Sequence, residues 1–284
     1  MTFPKENVMS GAADASKPGR MIPIPSVPNF RDIGGYAVAA GGRVRMGQLY
    51  RSVELNHLHG EDLDAFAALG IRTVFDLRTA AERSAQADVV PPGTQTVVCD
   101  VLKDSQSAAP AQLLKVLGDP SLAAQTLGGG KALSMFEDGY RQIVSLPSAL
   151  AAYRGFFTTI ARDAQRPALF HCTTGKDRTG WAAASTLLLL GVAEQDVLYD
   201  YELTNRDLLP ALKPVFEHFR AVGGDPDLLK PLLGVDPGYL KAALDEMRQR
   251  FGSIEGYFSE GLGIDADGQR VLRAALTEPR KERH

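Results

Sequence analysis

The segment Phe170-His171-Cys172-Thr173-Thr174-Gly175-Lys176-Asp177-Arg178-Thr179-Gly180 joins an apolar run, Pro167 to Phe170, to a longer one, Thr179 to Leu190. The short run reads as a buried strand and the long one as a helix, so the segment is a strand-to-helix loop. Sheets of the α/β class bind ligands beyond the carboxyl ends of their strands, where such loops lie. A loop wrapping back onto a helix N-terminus points successive N–H groups into one concavity, and the helix dipole adds to their pull on an anion. The same field favours the thiolate of a cysteine at its base, here Cys172. Arg178, six positions later, can close the loop and offer a planar fork to two phosphate oxygens. Gly175 allows a backbone conformation that a side chain hinders. Thr179 can donate its hydroxyl to the sulfur and help it leave in a second step.

Cysteine, five residues and arginine form the signature of the cysteine-dependent phosphatases. The fuller string His171-Cys172-x-x-Gly175-Lys176-Asp177-Arg178-Thr179-Gly180 is far more specific than that spacing alone. Upstream stand Asn29-Phe30-Arg31-Asp32-Ile33-Gly34-Gly35 and Tyr50-Arg51-Ser52; downstream run Gly238-Tyr239-Leu240 and Phe251-Gly252-Ser253-Ile254-Glu255-Gly256-Tyr257. With these the chain resembles the bacterial tyrosine phosphatase family of the mycobacterial PtpB type, in the tyrosine/dual-specificity superfamily. The resemblance runs from about Val27 to the C-terminus and leaves out Met1 to Arg20.

That resemblance implies phosphomonoester hydrolysis through a phosphocysteine intermediate, with no metal and no cofactor. The substrates it implies are phosphotyrosine, with phosphoserine, phosphothreonine and phosphoinositides in the wider range. Cys172 would attack phosphorus, while Arg178 and the loop Thr173, Thr174, Gly175, Lys176 and Asp177 hold the phosphoryl oxygens. An acid must then protonate the leaving oxygen. Asp76 ends a strand at the same sheet edge, Asp177 lies in the loop, and Asp138 sits 34 residues upstream of Cys172. Asp76 and Asp177 are the preferred pair, with Asp138 third.

Plainer readings compete at several positions. Gly175-Lys176 fails as a nucleotide-binding loop, since Asp177 stands where Ser or Thr is needed and Phe170 where glycine is. His171 suits orienting the nucleophile better than acting as base. Lys176 is either a solvated charge or extra positive potential suited to phosphoinositides. Cys99, in an apolar strand, reads as core, and a disulfide to Cys172 cannot be judged from spacing. Arg51, Arg78 and Arg83 read as core-edge ion pairs, and Met135, Phe136 and Tyr140 as core. A sulfur-transfer or arsenate-reducing enzyme is one rival function, and an inactive phosphate-binding module is another.

Outward from the loop, strands and helices alternate. Gly34–Tyr36 and Gly41–Val44 read as two short strands around a glycine turn. A helix is predicted over Glu61–Leu69, closed by Gly70. Ile71–Leu77 and Thr96–Val101 read as strands, and Lys103–Gly130 as a mobile excursion with one short helix. Helices follow at Leu133–Ser145 and Pro147–Asp163. The alternation predicts an α/β fold with a mostly parallel central sheet flanked by helices. Residues 1–20 read as a flexible lead-in and 21–284 as one domain, with a proline-broken helical lid over about 203–251.

Length and composition agree. The 284 residues are 44% hydrophobic, enough for a core, and carry 31 basic against 34 acidic side chains. A net charge of −3 predicts neither nucleic acid nor an anionic membrane as main partner. Two cysteines make neither a disulfide scaffold nor a four-thiolate zinc site. Without a signal-like apolar core or a span-length apolar run, a cytoplasmic location is expected.

Overall fold

The computed structural model describes residues 17–105, 116 and 118–279. At its centre lies a five-stranded sheet, ordered β1-β3-β6-β4-β5, of Arg31–Asp32 (β1), Leu49–Ser52 (β3), Thr73–Asp76 (β4), Gln95–Val98 (β5) and Ala168–His171 (β6). Only β1 is antiparallel to its neighbour; β3, β6, β4 and β5 run parallel. Middle strand β6 is covered on both faces, hence its unbroken apolar run. Its side chains alternate between two cores, Ala168 and Phe170 on one face and Leu169 on the other.

Register decides where the site falls. Ser52, His171 and Asp76 stand side by side at the carboxyl ends of β3, β6 and β4. The three chain segments leaving those strands therefore emerge together, and backbone bonds tie them: Leu77 N–H to His171 O at 2.9 Å and Glu54 N–H to Thr173 O at 3.2 Å.

Helices cover the sheet: Gly60–Ala67 (α1), Ala80–Ala85 (α2), Pro120–Leu127 (α3), Lys131–Ser145 (α4), Pro147–Ile160 (α5), Arg178–Leu189 (α6), Glu194–Leu208 (α7), Lys213–Ala221 (α8), Pro237–Phe251 (α9) and Ala266–Leu276 (α10). Every residue of α6 except Leu188 is buried, as its apolar surface on all sides demands. The larger core joins Phe75, Phe156, Phe170 and Trp181, with Phe156 packed 5.0 Å from Phe75 and 5.1 Å from Phe170. The second core, around Phe30, Phe66 and Leu169, lies under α1.

Three details differ from the sequence expectation. Gly41 and Gly42 do make a positive-φ turn, at +84° and +102°, but Arg43–Val44 (β2) pairs with the C-terminal Thr277–Glu278 (β7) and makes only a single bridge to Ala37. A Cβ on Gly42 would stand 2.2 Å from Glu278 O, so this glycine lets the C-terminal strand dock. The helical stretch of about 203–251 divides between cores. Helices α7 and α9 feed the large core through Tyr201, Tyr239, Leu240 and Leu244, because their apolar residues face the sheet layer. The piece between them packs Phe219, Leu229 and Leu233 onto Val116, Ala123, Leu127 and Ala132, a small core of its own. The excursion after Lys103 thus contributes α3, capped by Asp119; residues 106–115 lie outside the described ones, as do residues 1–16 of the lead-in. Finally, Arg20 already belongs to the fold, accepting from Asp32 N–H at 3.1 Å.

Candidate active site

The Cys172–Arg178 loop is held from beneath by buried charge. Asn29, itself at φ +58°, donates to Gly175 O at 3.1 Å, and Arg51 donates to the same oxygen at 2.7 Å. Arg51 and Arg31 share the Asp200 carboxylate, with closest contacts to it of 3.0 and 3.2 Å. Burial, then repulsion from Arg31, pushes the Arg51 guanidinium down to about 10, so it stays charged at neutral pH. The Asn29–Arg31 and Tyr50–Ser52 stretches thus buttress the loop. Gly175 has φ +64°, and a Cβ there would lie 2.2 Å from Ser52 O. Any side chain would force the loop off β3.

What the loop presents is a set of donors. Among the described residues, no hydrogen bond is made by the backbone N–H of Thr173, Thr174, Gly175, Lys176, Asp177 or Arg178. Gly175, Lys176 and Arg178 are buried. Sheltered N–H groups almost always find acceptors, and six in succession at a helix N-terminus make an anion cradle. Cys172 lies at its base, 1% exposed. Thr179, the second residue of α6, has a buried hydroxyl with no partner among the described residues.

Arg178 points its end-on fork at Glu82, with Nη1 and Nη2 at 2.7 and 2.6 Å from the two carboxylate oxygens. Burial opposes the arginine's charge, but Cys172 and Glu82 beside it outweigh burial and hold the guanidinium above its ordinary value. Burial likewise opposes the Glu82 carboxylate, and Arg178 overrides it, keeping the group well below the usual range. Glu82 comes from the capping box of α2 and also accepts from Thr79 and Thr173. A Thr79-x-x-Glu82 box is readable in sequence; its second partner, Arg178, is not.

The candidate acids separate. Asp76 reaches the expected sheet edge, but Arg78 takes both its oxygens, through Nε at 2.9 Å and Nη2 at 2.8 Å, and the pair is buried. Asp76 is thus placed as the anchor of Arg78, against the sequence preference for it as an acid. Asp138 is exposed and paired with Arg141 on the face of α4. Asp177 is half-buried in the loop; its Oδ1 accepts from Tyr140 at 2.9 Å and Lys176 at 2.7 Å. Its Oδ2 has no hydrogen bond among the described residues, so one oxygen is available for a proton. Tyr140, read from sequence as core, is buried and also a ligand of this carboxylate. Burial, then Asp177, holds its phenol above the ordinary value, so it remains a donor.

Lys176 is buried too, with Nζ 4.2 Å from the Phe136 ring centre. It is neither a solvated charge nor a free one. His171 lies with Nε2 3.1 Å from Asp88 and Nδ1 3.2 Å from Cys172 O, a supporting position. Asp76, Asp88 and His171 bring potential cation ligands within 4.8 Å of one another. Arg78 Nη2 contacts Asp76 and Asp88 at 2.8 and 2.7 Å, so a guanidinium already fills the cationic role there. Cys99, just beyond β5, is buried, and burial followed by Asp76 pushes its thiol up to about 12.

A buried cysteine under an amide cradle, an arginine fork and a loop aspartate are the parts that a cysteine-dependent phosphatase requires. The chain belongs to the tyrosine phosphatase family, whose model matches residues 22–278. It is 33% identical over 261 residues to a Cupriavidus necator protein provisionally named a tyrosine-protein phosphatase, covering 91% of this chain and 90% of that one. It is 29% identical over 278 residues to the triple specificity protein phosphatase PtpB of Mycobacterium tuberculosis, covering 89% and 98%. A Nostoc commune tyrosine-protein phosphatase is 30% identical over 237 residues, covering 80% and 73%. The enzyme class is therefore phosphatase, and the sulfur-transfer, arsenate-reducing and inactive-module readings give way to it. No helix among the described residues is long and apolar enough to cross a membrane.

Proposed function

We propose that the chain hydrolyses phosphotyrosine through a phosphocysteine at Cys172. The six amides from Thr173 to Arg178, without a hydrogen bond among the described residues, carry this reading. They surround the place where the equatorial phosphoryl oxygens would lie, and Arg178 adds its charge. Cys172 attacks in line, Asp177 gives a proton from Oδ2 to the leaving oxygen, and Thr179 donates to the sulfur when water displaces it. His171 and the Asn29–Arg31–Arg51–Asp200 network keep the loop in register.

An aryl ester is favoured because Cys172 is buried: a phosphotyrosine extends its phosphoryl group farther from a peptide backbone than phosphoserine does. The mycobacterial relative's name, a triple specificity protein phosphatase, supports a range wider than one phosphoamino acid. Phosphoinositides gain less support, since the Lys176 ammonium is buried and already engaged by Asp177 Oδ1 and the Phe136 ring. The piece around α8, with its own small core, serves as a lid.

The test is turnover of p-nitrophenyl phosphate by wild type and Cys172→Ser with EDTA present, followed by phosphotyrosine, phosphoserine and phosphoinositide substrates. The reading requires an EDTA-resistant wild type, an inactive Cys172→Ser and a preference for phosphotyrosine. Activity surviving in Cys172→Ser would overturn it.

A further inference from the structure

Lys176 carries a buried ammonium with a single hydrogen-bond acceptor among the described residues. The residue is 3% exposed, and of its three N–H donors one reaches Asp177 Oδ1 at 2.7 Å. A buried charge so short of acceptors is costly unless something else meets it. Here it is the ring of Phe136, whose centre lies 4.2 Å from Nζ. An aromatic face attracts a cation, and more strongly where water is excluded. The ring is itself fixed. Tyr239 stacks on it at 5.0 Å and 28°, and the Tyr239 hydroxyl donates to Pro231 O at 3.0 Å. A ring stacked that closely leaves no room for an ammonium on the same face, so Lys176 and Tyr239 flank Phe136. Phe136 and Tyr140 stand one turn apart on α4 and share a face of that helix. Both lead to one atom: Tyr140 donates to Asp177 Oδ1 at 2.9 Å, and Phe136 covers the lysine that donates to the same oxygen. Two roles are open to Phe136. As plain core it matters through its apolar bulk; as a wall for Lys176 it matters through its π face.

We propose that Phe136 is a positioning residue for the acid step: its ring holds the Lys176 ammonium against Asp177 Oδ1, where negative charge develops as Oδ2 gives up its proton. This rests on the phosphatase reading of the loop, with Asp177 as its acid. Donors fixed where charge appears lower the barrier without tightening substrate binding. Phe136 therefore acts on kcat rather than KM, and only for leaving groups that need a proton.

The experiment measures kcat and KM for a phosphotyrosine peptide and for p-nitrophenyl phosphate. Wild type is compared with Phe136→Leu, Phe136→Tyr, Lys176→Met and the Phe136→Leu/Lys176→Met pair. Leucine keeps the apolar bulk and removes the π face; tyrosine keeps the face. Phe136→Leu should lower kcat on the peptide about three- to tenfold, the range a cation–π contact commands. Its KM, and its turnover of p-nitrophenyl phosphate, should stay within about twofold of wild type. Phe136→Tyr should recover most of the loss. Once Lys176 is methionine, Phe136→Leu should cost no more than about twofold further, because the two residues act through one contact. A readout independent of activity is the Lys176 Cε proton resonance in lysine-labelled protein, assigned by its loss in Lys176→Met. Lying over a ring, it should be shifted upfield in wild type and Phe136→Tyr and return toward the ordinary lysine position in Phe136→Leu. An unshifted wild-type resonance overturns the proposal, as does an equal loss on both substrates, which would make Phe136 plain core. A full-sized further loss in the pair overturns it too, since Phe136 would then act without Lys176. Inactive wild type with the Lys176 resonance shifted would instead sink the phosphatase reading itself.

Discussion

The Tyr140 hydroxyl donates to Asp177 Oδ1 at 2.9 Å, and so links the middle of α4 to the catalytic loop. Lys176 reaches the same oxygen from the other side. Both contacts fix the carboxylate through Oδ1 and leave Oδ2 without a hydrogen bond among the described residues, as the proposed acid requires. Asp177→Asn should therefore lower kcat on phosphotyrosine about 10²–10⁴-fold. The loss should be far smaller on p-nitrophenyl phosphate, whose leaving group needs little protonation. Steady-state kinetics across leaving groups of graded pKa checks this; an equal loss on all would assign the acid elsewhere. Tyr140→Phe should lose about tenfold through the same carboxylate.

Asp76→Asn tests the anchor role given to that residue. Removing one charge from a buried pair leaves Arg78 short of a partner, at a cost of about 3 kcal/mol. Chemical denaturation should show the loss of stability, and the folded fraction should keep the wild-type leaving-group dependence. A stable Asp76→Asn enzyme with an altered leaving-group slope would restore Asp76 as acid.

Gly175→Ala probes the close approach of loop and sheet. The added carbon meets Ser52 O at 2.2 Å in a conformation with φ +64°, which costs about 2–3 kcal/mol in strain and displacement. Turnover should fall more than stability, because the displaced carbonyl of Gly175 is the one held by Asn29 and Arg51. Wild-type turnover in this variant would contradict the buttress.

Alkylation separates the two cysteines. With its thiol pushed up to about 12, Cys99 carries almost no thiolate at pH 8, and only the thiolate reacts readily. Iodoacetamide on the native enzyme should label Cys172 and spare Cys99, as peptide mass spectrometry will show. Labelling of native Cys99 at a comparable rate would refute its burial.

Acid titration tests the Glu82–Arg178 pair as a stability element. The folded carboxyl titrates well below its ordinary 4.5, so the folded state binds fewer protons there than the unfolded one. Its contribution is complete above that value and is lost as pH falls below it toward the lowered one. The gap in urea midpoint between wild type and Glu82→Gln should thus be constant from pH 7 to about 5.5 and narrow in more acid solution. A gap that widens in acid would reverse the sign.

Much of this was legible from local pattern. The apolar run ending at Phe170 and the apolar stretch after Thr179 located β6 and α6, because a strand and a helix buried on all sides need no neighbours to be recognised. Cys172, Arg178 and Asp177 followed from one uninterrupted string. Glu82 did not, since its capping box explains it fully without Arg178, 96 positions away. Tyr140 also escaped, because a helix position facing inward looks the same whether it meets another ring or the loop carboxylate of Asp177. Asp76 is the converse case. Its place at the strand end was right, but a salt bridge to a residue two positions on, Arg78, depends on side-chain direction that spacing does not reveal.

The covalent intermediate is the central claim. Wild type mixed with a phosphotyrosine peptide carrying labelled phosphate, quenched in acid within one turnover with EDTA present, should yield label on the Cys172 peptide at close to one equivalent. Arg178→Ala should form it far more slowly. Steady turnover with no label on Cys172, or with label on another residue, would contradict the account.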